Sequence, residues 1–349
     1  MASADNNTTT LAEKVAFLSR PDAYPHCVDK VTRRETHMSW VFLAGDRVYK
    51  LKKPVRFPYL DFATLERRET ACRAEVSLNR RLAPDIYLGT LPLTVTANVL
   101  CIGGTGTVAD WLVVMRRLDS RWALDRALRE GRLERSQLDR LVRTLVRFYR
   151  HARPVFISPG SYLFDWSRNL TVNRSVLLDA CFALAPEPIR RIDHVQRRFL
   201  AECPTTLVAR VHRRRIIDGH GDLRPEHVSL NREVRIIDCL EFNPRLRVVD
   251  PFDEIAFLDL ECERLGAAQV GAHIRKCVAR ALNDDVPAEL YSFYRSYRAI
   301  LRARLAIAHL FEPSPQTPEK WPRIARAYLE IANRDAGRLE ALLRTRRGR

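Results

Sequence analysis

Nowhere among the 349 residues do eighteen apolar side chains run together, so the pattern holds no candidate membrane-spanning helix. The opening stretch, MASADNNTTTLAEKVAFLSR, lacks the charged-then-apolar order of a secretory leader. The expectation is a cytoplasmic protein with no membrane partner. The eight cysteines (Cys27, Cys72, Cys101, Cys181, Cys203, Cys239, Cys262 and Cys277) include no CxxC pair. That excludes the common zinc and redox spacings and predicts buried thiols in a reducing compartment. Internal repeats and low-complexity segments are missing too. Lysine is scarce: there are seven, none between Lys53 and Lys276, and three of them fall in VYKLKKP. A chain that otherwise writes its positive charge as arginine has reason to use the compact ammonium there.

What is present is charge and apolar mass. At 46% hydrophobic residues, the chain can bury the core of one large domain or two lobes. Its net charge of +17 would attract a polyanion. However, the arginines of RRLDSRWALDRALREGRLERSQLDRLVRTLVRFYR alternate with acids, as on solvated helix faces. No basic-aromatic interleaving or nucleic-acid motif accompanies them, so no specific nucleic-acid partner is expected.

The periodicity predicts an α+β chain. LAEKVAFLSR reads as a short helix within an N-terminal extension over residues 1–35. From Thr36, HMSWVFL and RVYKLKK alternate as a hairpin about Gly45-Asp46. TLERRETACRAEVSLNRRLA then reads as a helix capped by Asp61 or Thr64. IYLGTLPLTV, VLCIGG and DWLVVMRRL complete an antiparallel sheet, giving a small β lobe over 36–116. Residues 117–349 read as a large helical lobe interrupted by RPVFISPGS and by one β island, IIDGHGDLRPEHVSLNREVRIIDCLEF. Two such lobes predict a ligand cleft where they meet.

That island gathers His220, Asp222, His227 and Asp238. Carboxylates at the ends of short apolar strands can hold a hard cation and orient a hydroxyl nucleophile, the two tasks of a phosphoryl-transfer site. Taken singly, each has a plainer use. An aspartate after glycine builds turns, a strand lysine guards a sheet edge, and a helix glutamate pairs with arginine.

HGDLRPEH resembles the HGDxxxxN catalytic loop of the aminoglycoside phosphotransferase family, a branch of the protein-kinase-like fold, and IIDCLEF resembles its metal-binding strand end. ETHMSWVFLAGDRVYKLKKPV, LDFATLERRETACRAEVSLNRRLAPDIYLG, DCLEFNPRLRVVDPFDEIAFLDLE and YRAILRARLA are similar, in order, to the kinase-like half of bacterial fused aminoglycoside phosphotransferase/ATP-binding proteins. The similarity runs from about residue 20 to 310. No GxxxxGK followed by Ser or Thr occurs, so the chain is expected to be the kinase-like module alone.

The resemblance implies a two-lobed kinase-like enzyme that binds ATP and Mg²⁺ and phosphorylates an alcohol group of a small molecule. It implies that Asp222 orients the attacking hydroxyl and that Asp238 chelates the metal. His227 stands where the wider family has a metal-binding Asn, and the closer subgroup also uses His. It further implies that Lys50 or Lys52 holds the α- and β-phosphates, paired with Glu75 or, failing that, Glu69. In WLVVMRRL, Met115 would lie near the adenine and the Arg116 and Arg117 backbone would bond its edge. Asp253 would brace the catalytic loop through His220. The family's glycine-rich loop is missing between Thr36 and Leu43, which leaves Ser39 and backbone N–H groups to meet the phosphates. His227 and that missing loop also fit a pseudokinase-like module that binds a nucleotide or partner without turnover. Asp259, Glu261 and Glu263 are the acids on offer to a polycationic substrate. Tyr294, Arg298 and Arg302 form one stripe, either snorkelling or facing an anionic substrate. The arginine excess favours a neutral or anionic metabolite. Composition does not bear on the oligomeric state.

Overall fold

A computed structural model of the chain describes residues 9–311 and 317–347. In chain order the helix α1 (Leu11–Leu18) precedes strands β1 (Val31–Glu35), β2 (Ser39–Ala44), β3 (Arg47–Lys52), β4 (Arg56–Phe57) and β5 (Leu60–Asp61). Helix α2 (Leu65–Asn79) leads to β6 (Tyr87–Thr96), β7 (Val99–Ile102) and β8 (Thr107–Arg116). Five helices follow: α3 (Leu124–Arg129), α4 (Arg135–His151), α5 (Pro159–Leu177), α6 (Pro186–Glu202) and α7 (Pro204–His212). The β island supplies β9 (Ile217–Asp218), β10 (Val228–Ser229), β11 (Arg235–Ile236) and β12 (Val248–Val249). Helices α8 (Pro251–Arg264), α9 (Ala268–Leu282), α10 (Ala288–Ala308) and α11 (Lys320–Arg347) complete the order.

The chain divides into two compact units. The first holds the residues up to Arg126 together with Glu226–Leu246, and the second holds Ala127–Pro225 with those from Arg247 onward. The first unit is built on a six-stranded antiparallel sheet ordered β1-β2-β3-β8-β6-β7. Gly45, at φ +61, turns β2 into β3, a conformation that costs a glycine little. One face of the sheet buries Phe42, Tyr49, Leu51, Leu93 and Leu112 against Val15 and Leu18 of α1. The other buries Val113 and Tyr87 against Cys72 and Val76 of α2. Both helices are capped by threonine: Thr10 forms a capping box with Glu13, and Thr64 accepts the Arg67 N–H. Asp110 of β8, 1% exposed, ties the layers together. Its carboxylate lies 2.8 Å from Lys14 of α1 and 2.8 Å from Arg68 of α2.

The sheet starts at Val31, earlier than the expected Thr36, because β1 (VTRRE) is an edge strand whose exposure shows no alternation. Residues 11–24, expected within an N-terminal extension, supply Val15, Leu18 and Tyr24 to the sheet's core. The first eight residues of that extension lie outside the described residues.

In the second unit, α8 is buried from Pro251 through Cys262. Trp166 of α5 packs its ring on Phe293, Tyr294 and Tyr297 of α10. The helix expected through Glu312 ends at Ala308 and tightens into a 3₁₀ turn, His309–Phe311; Glu312 lies outside the described residues. Cysteines 72, 203, 239 and 262 are buried as expected, whereas Cys27, Cys101 and Cys181 are exposed. Among the described residues no helix is long and apolar enough to cross a membrane.

Candidate active site

The first unit gathers five charged side chains from three segments. Lys50 Nζ on β3 lies 2.9 Å from Glu75 Oε1 on α2 and 3.3 Å from Asp238 Oδ1, just past β11. Lys52, two residues on and so on the same face of the strand, is fully buried. Its Nζ lies 2.6 Å from Glu75 Oε2 and also contacts Glu241. Burial alone would lower both ammonium pKa values. The surrounding carboxylates outweigh it, and both lysines stay charged well past neutrality. Burial likewise tends to raise the pKa of Glu75, but Lys50 and Lys52 bring it below the ordinary value. Glu241, beside Glu75 and in contact with Lys52, is pushed up by burial.

Asp238 has φ +65, the left-handed conformation that aspartate tolerates better than most residues, and its side chain is half exposed. Its segment is pinned to α2: Asn79 Oδ1 accepts the Cys239 N–H at 2.9 Å while Asn79 Nδ2 donates to the Glu75 carbonyl at 2.8 Å. His227 Nε2 stands 3.7 Å from Asp238 Oδ2. One accessible carboxylate beside an imidazole fits part of a divalent-cation site. Among the described residues no cluster of three or more His, Cys, Asp or Glu could hold a metal, so Mg²⁺ would need the phosphates and water for its remaining ligands.

The second unit carries the loop Gly219–Asp222. Gly221 has φ +86. Glu254 Oε1 accepts the backbone N–H groups of His220 at 2.7 Å and Gly221 at 2.5 Å, while Tyr149 donates to Oε2 at 3.2 Å. A Cβ on Gly219 would clash with Val249 Cγ2 and come within 2.8 Å of that same Oε1, so the packing around the brace leaves no room for a larger residue. The loop backbone is thus held directly by Glu254, the residue after the Asp253 expected to brace it through His220. Asp253 instead pairs with Arg298 at 2.6 Å, and Arg298 reaches the Gly221 carbonyl at 3.4 Å. Both carboxyls are raised by burial. The His220 side chain is buried and accepts the Asp222 N–H at Nδ1, at 3.3 Å. Asp222 Oδ2 is 2.9 Å from the Arg224 guanidinium.

Several expected roles meet a different geometry. Ser39 is 2% exposed and its N–H is held by Thr36 Oγ1 at 3.0 Å, so that backbone donor is already used. The N–H groups of Arg116 and Arg117 already bond the carbonyls of Ile86 and Asp46, each at 2.8 Å; carbonyls are what these residues have left for an adenine edge. Met115, like Leu118 and Ile237, packs against the cluster of Cys72, Val76, Tyr87 and Val113. Glu69 pairs with Arg73 on the surface of α2, away from the lysines. Asp259 is bound by Arg295 at 2.7 Å and Glu261 by Tyr328 at 2.6 Å; Glu263 also contacts Arg295. These acids are internal counter-ions. So is the arginine stripe: Tyr294 donates to Asp250, Arg298 to Asp253, and Arg302 lies 3.6 Å from Glu261.

Sequence reasoning missed Glu254, Arg298 as a loop support, Glu241 and Arg224. For Glu254 the signal was its position four residues after the helix-capping Asp250. The others become visible only through long-range pairing.

The sheet with its inserted helix, the lysine–glutamate pair and the loop of a helical unit define the protein-kinase-like fold. Solved structures with this fold include a choline/ethanolamine kinase family protein from Mesorhizobium loti (TM-score 0.50, 14% identity, covering 93% of this chain and 98% of that one). The GDP complex of aminoglycoside 2'-phosphotransferase-IIIa matches with TM-score 0.51 and 14% identity over 89% and 94%. A choline kinase from Cryptosporidium parvum matches with TM-score 0.51 and 9% identity over 90% of each chain. Uncharacterized proteins of Mycobacterium tuberculosis and Mycobacterium bovis are 34% identical over 289 residues, 81% of this chain and 56% of theirs. The chain thus spans little more than half the length of these relatives. No protein-family model matches it.

Proposed function

We propose that the chain is an ATP-dependent phosphotransferase that moves the γ-phosphate to a hydroxyl of a small molecule. The observation that carries this reading is the simultaneous pairing of Lys50 with Glu75 and Asp238. It groups a phosphate-binding ammonium, the helix acid that orients it and a cation-binding carboxylate. Bound Mg·ATP would supply the phosphoryl group and partly neutralise its charge. Lys50 would hold the α- and β-phosphates, Asp238 the metal with His227 beside it, and Asp222 the acceptor hydroxyl. In the transfer the acceptor oxygen bonds the γ-phosphorus, the bond to the bridging oxygen breaks, ADP leaves, and the hydroxyl proton passes toward Asp222. The internal commitment of Asp259, Glu261 and Glu263 supports a neutral or anionic acceptor over a polycation.

The pairing of Asp222 with Arg224 at 2.9 Å favours one second reading, a nucleotide-binding module without turnover, because it occupies the carboxylate a hydroxyl would need. Labelled-ATP transfer to a panel of hydroxylated metabolites separates the two. The first reading expects transfer that Asp222→Asn lowers by roughly 10²- to 10⁴-fold. Nucleotide binding with no transfer to any acceptor supports the second, and no binding sinks both.

A further inference from the structure

Two lysines leave the same face of β3, yet only one reaches Asp238. Lys52 is sealed, with no exposed surface, its Nζ 4.9 Å above the Phe62 ring and its charge shared by Glu75 and Glu241. The two oxygens of Glu75 are divided between the lysines, Oε1 to Lys50 and Oε2 to Lys52. Glu75 and Glu241 are both buried against water, Glu75 almost completely. If Lys50 were their only counter-ion, drawing it toward a phosphate would strand carboxylates in a low-dielectric interior, which is strongly unfavourable.

We propose that Lys52 is a positioning residue that keeps a cation paired with both Glu75 and Glu241, which frees Lys50 to exchange its carboxylate partners for the nucleotide's phosphates. The proposal rests on the nucleotide-binding reading above. It separates the duties of two adjacent lysines: Lys50 touches the phosphates, and Lys52 acts on them only through Lys50. Lys52→Met raises the hold of the buried carboxylates on Lys50. Glu241→Gln lowers it, because the two lysines then share one carboxylate fewer.

The test is calorimetric titration of the folded wild type, Lys52→Met and Glu241→Gln with Mg·ATP and, separately, with adenosine, which has no phosphate. The expected result is a Kd for Mg·ATP raised tenfold or more in Lys52→Met, and equal to or below wild type in Glu241→Gln. Adenosine should bind all three alike. A purely structural ion pair would weaken both variants in the same direction and for both ligands, and that result overturns the proposal, as does an unchanged Mg·ATP affinity in Lys52→Met. If Lys52→Met does not fold, a Glu241→Gln protein that binds Mg·ATP more weakly than wild type overturns it alone. A wild type that binds neither ligand refutes the nucleotide reading itself, a result distinct from either of these.

Discussion

Glu254 holds Gly221 by its backbone, accepting the N–H at 2.5 Å, and the same oxygen takes the neighbouring N–H of His220. The turn carrying Asp222 is therefore set by a carboxylate on a buried helix. Glu254→Ala orphans two buried donors, at about 1–3 kcal/mol each. Gly219→Ala pushes against Val249 and the same oxygen. Both variants are expected to unfold at clearly lower urea concentration, whereas Glu254→Gln, which keeps one acceptor oxygen, should lose less. Equal stability of Glu254→Ala and wild type would remove the brace from the account.

Asp110 gives a prediction independent of function. Asp110→Asn leaves Lys14 and Arg68 buried without their counter-ion, and a loss of about 3–5 kcal/mol is expected. The urea midpoint should fall while the denaturant slope stays constant. An unchanged midpoint would mean that the triad does not join the two helices to the sheet.

Lys50→Met should abolish nucleotide-dependent stabilisation while retaining the folded state, because Lys52 remains to pair Glu75. The check is circular dichroism for the fold and a thermal ramp with Mg·ATP for binding. A variant that binds as the wild type does would move the phosphate contact away from Lys50.

Glu75 and Glu254 carry opposite pH signatures. The folded pKa of Glu75 is depressed, so its contribution is present above the unfolded value of 4.5 and is lost as pH falls through the lower folded pKa. The deficit of Glu75→Gln should therefore be largest above 4.5 and shrink in acid. The folded pKa of Glu254 is raised, so its contribution is full below 4.5 and is lost as pH rises through the higher folded pKa. Glu254→Gln should then gain on the wild type over that rise. Chemical denaturation at a series of pH values measures both slopes, and parallel slopes would contradict the assignment.

The residues that sequence made legible are those whose role depends on local pattern. Alternation in RVYKLKK put Lys50 and Lys52 on one face, and the family resemblance, not spacing, named Glu75 as their partner, with Glu69 as the alternative. What stayed hidden depends on distant partners or on a lack of pattern. The exposed edge strand VTRRE has no apolar alternation to announce it. Asp253 and Glu254 are neighbours in one fully buried helical stretch, and only the positions of Arg298 and the His220–Gly221 backbone tell their duties apart. Ser39 is named because no glycine lies between Thr36 and Leu43; that Thr36 already takes its N–H is a contact the linear pattern does not announce. The acids after residue 255 could be listed as candidates for a polycationic substrate because Arg295, more than thirty positions away, is invisible as their partner in a linear reading.

The most direct test of the central claim is the thermal midpoint of the wild type and of Asp238→Ala, each with and without Mg·ATP. At a nucleotide concentration 100 times the dissociation constant, binding stabilises the fold by about 2.7 kcal/mol. The account predicts a rise for the wild type that requires the metal, and none for Asp238→Ala. Equal midpoints with and without Mg·ATP in the wild type would contradict it.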